Sequence, residues 1–101
     1  MFGAPDVPTV SAAAVAPGAA ILDVREQAEW DDAHVAGSLH IPMGQLVARA
    51  AEVPTDRPLV VICHSGYRSA QVTAWLVQQG YDAANLEGGI VAWAQAGLPL
   101  E

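Results

Sequence analysis

The chain has no lysine. Its only cationic side chains are Arg25, Arg49, Arg57 and Arg68, and eleven acidic residues bring the formal charge to −7. Nucleic acids and anionic membrane surfaces require a basic face, which four scattered arginines do not supply, so both partner classes are excluded. The same field repels small anions at a distance, and an anion site would have to work through short-range donors. Cysteine is equally scarce, with Cys63 alone. No disulfide can close within the chain, in keeping with a reducing, cytoplasmic setting. Cys63, His34, His40 and His64 lack the spacing of a zinc cluster, so no metal is expected. Long apolar runs are missing as well: nothing approaches the ~20 residues of a membrane span. The alanine-rich stretch "VSAAAVAPGAA" has no basic flank and is broken by Pro17, so it does not read as a signal peptide.

What is present is enough for one core. The chain is 52% hydrophobic over 101 residues, too short for two ordinary domains and too apolar for disorder. A single domain over residues 1–101 is expected, with its core from about 7 to 99. Apolar bursts alternate with helix-like segments. Short strands are expected at residues 8–10, 19–24 and 38–41, a central one at 59–63, and a last one in the segment "AANLEGG". Ser11 is expected to cap a helical turn running to Ala16, and an acidic helix to cover 26–32. Residues 45–51 read as helix-like. A longer helix is expected over 69–79, with Ala70, Thr73, Ala74 and Val77 on its buried stripe and Gly80 as its stop. A final helix is expected over 90–96. Apolar runs without alternation suit a parallel sheet covered on both faces, and alternating strands and helices imply an α/β layer fold.

The run Leu59-Val60-Val61-Ile62 leads into "CHSGYRS", and strand ends of this kind are where open parallel sheets bind ligands. Two readings of Cys63 stand side by side. A lone cysteine is often inert packing. Alternatively, the loop of His64, Ser65, Gly66, Tyr67 and Arg68 curls around the sulfur and turns its peptide N–H groups inward, beside the start of the next helix. Such a nest of partial positive charge favours a thiolate. Gly66 can take a positive φ there, Arg68 adds a full charge at the rim, and the hydroxyls of Ser65 and Ser69 can donate to the sulfur or to a bound oxyanion.

Four segments in order carry a resemblance to the rhodanese-like (thiosulfate sulfurtransferase) family in its single-domain form: "ILDVREQAEW", "AHVAGSLHIP", "CHSGYRSA" and "NLEGGIVAWAQAGLP". The third resembles the family's Cys-x-x-Gly-x-Arg-Ser loop, and the last its Leu-x-Gly-Gly ending with a tryptophan. The resemblance implies an α/β fold with a five-stranded, mainly parallel sheet flanked by helices on both faces. It implies an enzyme in which Cys63 attacks the outer sulfur of a donor, becomes a persulfide and passes that sulfur on. The donor would be thiosulfate or a persulfide or polysulfide, and the acceptor cyanide or a thiol, with a persulfide-carrying protein as a further partner; no cofactor is implied. Related phosphatases and arsenate reductases carry one more residue between cysteine and arginine than the four found between Cys63 and Arg68, and the tighter loop favours sulfur over phosphate. Two alternatives remain: a non-catalytic binding module of the same fold, and a dedicated sulfur carrier with little small-molecule turnover.

The remaining polar residues carry narrower expectations. Arg68 either contacts substrate or ties the loop to a carboxylate such as Asp23 or Glu87. Asp23 ends a neighbouring strand and is expected beneath the loop in an orienting role. Arg25 is expected to pair with Glu26, Glu29 or another local acid. His34 and His40 read as structural, and His64 as contributing its amide with the ring toward solvent. The tryptophans read as packing, the acidic cluster of Glu29, Asp31 and Asp32 as a solvated face, and Gly88-Gly89 as a turn close to the loop.

Overall fold

The computed structural model describes residues 6–101, so the first five residues of the expected domain lie outside the described residues. Five parallel strands form one sheet: β1 (Thr9–Val10), β2 (Ala20–Asp23), β3 (Leu39–His40), β4 (Leu59–Ile62) and β5 (Ala83–Leu86). Their order across the sheet is β1-β5-β4-β2-β3, which leaves β4 in the centre. Three α-helices connect or follow them: α1 (Gln27–Asp32), α2 (Tyr67–Gln78) and α3 (Gly89–Gln95).

The strand period of two divides the core between the two faces of the sheet. Leu59 and Val61 of β4 join Leu22 and Val24 in one layer, beneath Val72 and Leu76 of α2. Val60 and Ile62 join Leu86 in the other, beneath Ile90 and Trp93 of α3. Every β4 residue is buried, as an apolar run covered on both sides requires. Each fully buried Leu, Ile or Val is worth roughly 1.5–3 kcal/mol, so these two layers dominate the stability of the sheet. Asp23 is in register with both Ile62 and His40, so β2, β3 and β4 finish level at their carboxyl ends, with Cys63 one residue beyond β4.

Three local expectations are corrected. Residues 45–51 do not form a helix; two 3₁₀ turns, Met43–Gln45 and Ala50–Glu52, take their place. Only Leu46 and Val53 of this stretch are buried, while Val47 lies exposed, so no continuous apolar stripe holds a longer helix down. Ser11 makes no capping bond, and its turn is a 3₁₀ segment of three alanines, Ala12–Ala14. The buried stripe of α2 runs through Ser69, Ala70, Val72, Thr73 and Leu76 and leaves Val77 exposed. The helix starts two residues earlier than expected, and it is turned so that its larger apolar side chains and Ser69 face inward.

Candidate active site around Cys63

The end of β4, the start of α2 and the start of α3 build the site together. Residues 63–66 leave the strand and reverse direction at Gly66, whose φ of +106° is open to glycine and strained for other residues. Gly66 also stands as the residue before α2, so the helix begins immediately beyond the loop. The carbonyls of Cys63 and His64 point across to α3, where they accept the N–H groups of Ile90 at 2.8 Å and Val91 at 3.3 Å. Gly88 and Gly89, both at positive φ, make that approach possible, and a Cβ on Gly89 would overlap the carbonyl oxygens of Cys63 and His64.

Cys63 is 1% exposed, and its sulfur lies at a boundary. One side meets the apolar layer of Leu22, Val61 and Val72. The other meets donors: the Gly66 N–H at 3.1 Å and the Ser69 hydroxyl at 3.2 Å. Burial pushes the thiol pKa up, but the Ser69 hydroxyl and the peptide N–H groups of Ser69, Gly66 and Ser65 outweigh it, and the net direction is down. Ionisation is therefore favoured by neutral dipoles. Ser65 contributes through its amide; of the two hydroxyls expected to donate to the sulfur or to a bound oxyanion, that of Ser69 meets the sulfur and that of Ser65 does not.

Arg68 ties the loop to a carboxylate, which is that of Glu29 and not of the two named candidates, Asp23 and Glu87. Its guanidinium grips Glu29 of α1 in a bidentate pair, at 2.7 and 2.9 Å. Glu29 also accepts the Glu26 N–H at 3.0 Å in a capping box at the start of α1, so one carboxylate joins the helix to the loop. The bond from Arg68, opposed by burial and helped by the Glu26 N–H, holds the Glu29 carboxyl at about 2 instead of 4.5. A depressed carboxyl stabilises the fold fully above its unfolded pKa and loses that contribution as pH falls from 4.5 toward 2. Both partners are about a third exposed, and solvent screening reduces the worth of the pair to ~1 kcal/mol. Glu29→Gln is thus expected to lower Tm by roughly 4–8 °C at neutral pH and to flatten its fall below pH 4.5, as melting curves across pH would record. A parallel fall in both proteins would remove Glu29 from this role.

The expected support residues lie beside the loop without touching the sulfur. Asp23 and Arg25 form a buried pair, with Arg25 Nη2 at 2.8 Å and Nε at 3.0 Å from Asp23 Oδ2. Arg25 further donates to the carbonyls of Ala33 at 2.7 Å and Glu29 at 3.3 Å, so the pair fixes the turn after β2. His34 Nδ1 meets the Trp30 carbonyl at 2.9 Å, His40 Nε2 meets the Arg25 carbonyl at 2.8 Å, and both rings stack on Trp30. His64 and Tyr67 are exposed on the loop surface. A cleft of about 380 Å³ opens on the α3 side, with Arg25, His64, Ile90 and Leu100 in its walls; Cys63 is not part of its lining.

Two functional candidates escaped the sequence reading. Glu29 had a signal, since with so few cations each arginine has to find a carboxylate, and the capping-box spacing from Glu26 marks Glu29 as held in place. Asn85 had none. It is 8% exposed on β5, accepts from Ser69 and donates to the Gly66 carbonyl, contacts that only the folded sheet creates.

Comparison with known proteins shows which family the chain resembles in sequence and fold. The rhodanese-like domain family matches residues 8–96. A sulfurtransferase of Allochromatium vinosum is 44% identical over 81 residues, covering 79% of this chain and 76% of that protein. The thiosulfate sulfurtransferase GlpE of Pseudomonas paraeruginosa is 36% identical over 77 residues, covering 75% of this chain and 70% of that protein. The crystal structure of a rhodanese-related protein from Thermoplasma volcanium superimposes with a TM-score of 0.85 at 32% identity, over 93% of this chain and 97% of that one.

Proposed function

The chain belongs to the rhodanese-like family, and on that basis we propose that it is a sulfurtransferase that carries a sulfane sulfur on Cys63. The observation that supports this most is the pair of neutral donors on Cys63 Sγ, the Gly66 N–H and the Ser69 hydroxyl, which favour a thiolate in a recessed site. In the first half-reaction the thiolate attacks the outer sulfur of the donor. With thiosulfate, the new S–S bond forms as the sulfur–sulfite bond breaks, and sulfite leaves with the electron pair. The outer sulfur of the Cys63 persulfide then carries the negative charge, next to the loop amides. In the second half-reaction cyanide or a thiolate attacks that outer sulfur, and Cys63 returns as thiolate.

The charge of the site bears on the donor. Arg68 is neutralised by Glu29, and the chain carries a formal charge of −7. A dianion such as thiosulfate therefore meets peptide dipoles but no free cation in the loop. Organic polysulfides that end in a free sulfur (RSSH, RSSSH), or the persulfide of a partner protein, present a terminal sulfur of lower charge, leave as a thiolate or a shorter persulfide anion, and are the better matched donors. The match to a protein persulfide favours the sulfur-carrier variant of this function, and the ionisable cysteine speaks against a non-catalytic module, which has no use for one. The test is a donor panel read by intact mass. An organic hydropersulfide, RSSH, whose outer sulfur bonds to Cys63 as the thiolate RS− leaves, is expected to add one sulfur at least about tenfold faster than equimolar thiosulfate, a difference of ~1.4 kcal/mol in barrier. Faster loading from thiosulfate would overturn the donor assignment, and no loading from any donor would overturn the function.

A further inference from the structure

The Ser69 hydroxyl has two neighbours and one proton. Its oxygen lies 3.2 Å from Cys63 Sγ and 2.5 Å from Asn85 Oδ1, while Asn85 Nδ2 lies 3.2 Å from the Gly66 carbonyl oxygen. All of these groups are buried. The chain thus links α2, β5 and the loop around the sulfur, with Asn85 held in register with Val61 of the central strand.

Valence fixes the direction of each bond. A carbonyl only accepts, so the Asn85 amide nitrogen must face Gly66 and its amide oxygen must face Ser69. That oxygen also only accepts, so the Ser69 proton lies on it. Ser69 Oγ is then left with lone pairs toward Cys63, which a thiol satisfies by donating its own S–H. Every buried side-chain polar atom among the described residues has a partner in this arrangement. A thiolate has no proton to give. To stabilise it, the hydroxyl must rotate onto sulfur, and the Asn85 oxygen loses its donor in a buried site, which opposes the change.

We propose that Asn85 is a positioning residue for Cys63: it holds the Ser69 hydroxyl proton while Cys63 is a thiol and releases it to the sulfur when Cys63 carries charge. The proton of Ser69 never leaves Ser69; it swings about the Cβ–Oγ bond. The proton of Cys63 leaves to solvent on ionisation. In the persulfide the charge moves to the outer sulfur, Sγ becomes neutral, and the hydroxyl returns to Asn85. The role builds on the sulfur-transfer reading, since a cycling cysteine is what requires a movable donor.

The elements that build the site and their neighbours carry charged and titratable groups, none of them hydrogen-bonded to the sulfur. They are Arg68 of α2, paired with Glu29 of α1, the Asp23–Arg25 pair after β2, Glu26 before α1, His64 in the loop and Glu87 after β5. None of them is altered in the test, which is a double-mutant cycle read by the pH midpoint of Cys63 alkylation by iodoacetamide. Asn85→Ala frees the hydroxyl for sulfur and is expected to lower the midpoint by about one unit, tenfold in thiolate fraction. Ser69→Ala removes the donor and is expected to raise it by about one unit. In the Ser69→Ala background, Asn85→Ala is expected to leave the midpoint unmoved. Asn85→Leu fills the same space without an acceptor and repeats the test if the alanine variant melts below the assay temperature. An equal shift by Asn85→Ala in both backgrounds, a rise, or no shift in the parent protein would each overturn the assignment. No sulfur donor enters this assay, so its outcome is separable from that of the donor panel.

Discussion

Cys63→Ser is expected to abolish sulfur transfer while the protein stays folded. The substitution exchanges one atom. A serine hydroxyl accepts the Gly66 N–H and donates its own proton to the Ser69 oxygen much as the thiol does, so the loop keeps both contacts that now face Cys63. Melting is expected to stay within a few degrees, about the effect of 1 kcal/mol or less in a domain of this size. Chemistry fails for two reasons. An aliphatic hydroxyl does not ionise near neutral pH, so the donor meets no anionic nucleophile. Oxygen also cannot form the persulfide that carries the sulfur between half-reactions. The expected loss exceeds about a thousandfold in turnover, ~4 kcal/mol in barrier, with no sulfur adduct by intact mass. Substantial residual turnover in a folded Cys63→Ser protein would move the nucleophile elsewhere.

The second large effect lies twenty-six residues along the chain. Gly89→Ala is expected to lower Tm by roughly 10–20 °C, the equivalent of ~3 kcal/mol in a domain of about a hundred residues. Gly89 has a φ of +60°, where an alanine costs about 1–2 kcal/mol by itself. The added methyl also overlaps the carbonyl oxygens of Cys63 and His64, and these are backbone atoms that cannot rotate away. Either α3 or the loop must retreat, and the bonds from Ile90 and Val91 to those carbonyls go with it. Because the proposed sulfur transfer relies on the loop amides around Cys63, activity is expected to fall with stability, even at temperatures where the variant remains folded. Gly97→Ala is the control: its φ is also positive, at +75°, but no atom lies within 4 Å of the added methyl, so it incurs the conformational cost alone. Equal melting temperatures for the two variants would mean that the contact with the loop contributes nothing.

The sequence carried the local features of the site and missed the long-range ones. The strand leading to Cys63 was legible because Leu59, Val60, Val61 and Ile62 are apolar without a break, which only a doubly covered strand tolerates. The glycine turn was legible because Gly66 lies between a strand pattern and a helix pattern. The partner of Arg68 was not, because Glu29 lies on another element and its choice over Asp23 depends on Arg25 having already taken Asp23. Asn85 was hidden for a related reason. On β5 it resembles any polar residue near a strand end, and its meaning arises only when β5 aligns beside β4 and α2 turns Ser69 inward. The face of α2 was misread by about one position, because Ser69 ranks as surface on polarity alone while in the fold it is fully buried against the sulfur.

The entire scheme depends on neutral donors outweighing burial at one sulfur atom. Iodoacetamide alkylation of the parent protein across pH, followed by intact mass, measures that balance directly. A midpoint below the ~8.5 of a free cysteine is expected, with all label on Cys63. A midpoint at or above that value would show that burial prevails, and the thiolate on which sulfur transfer depends would not form at neutral pH.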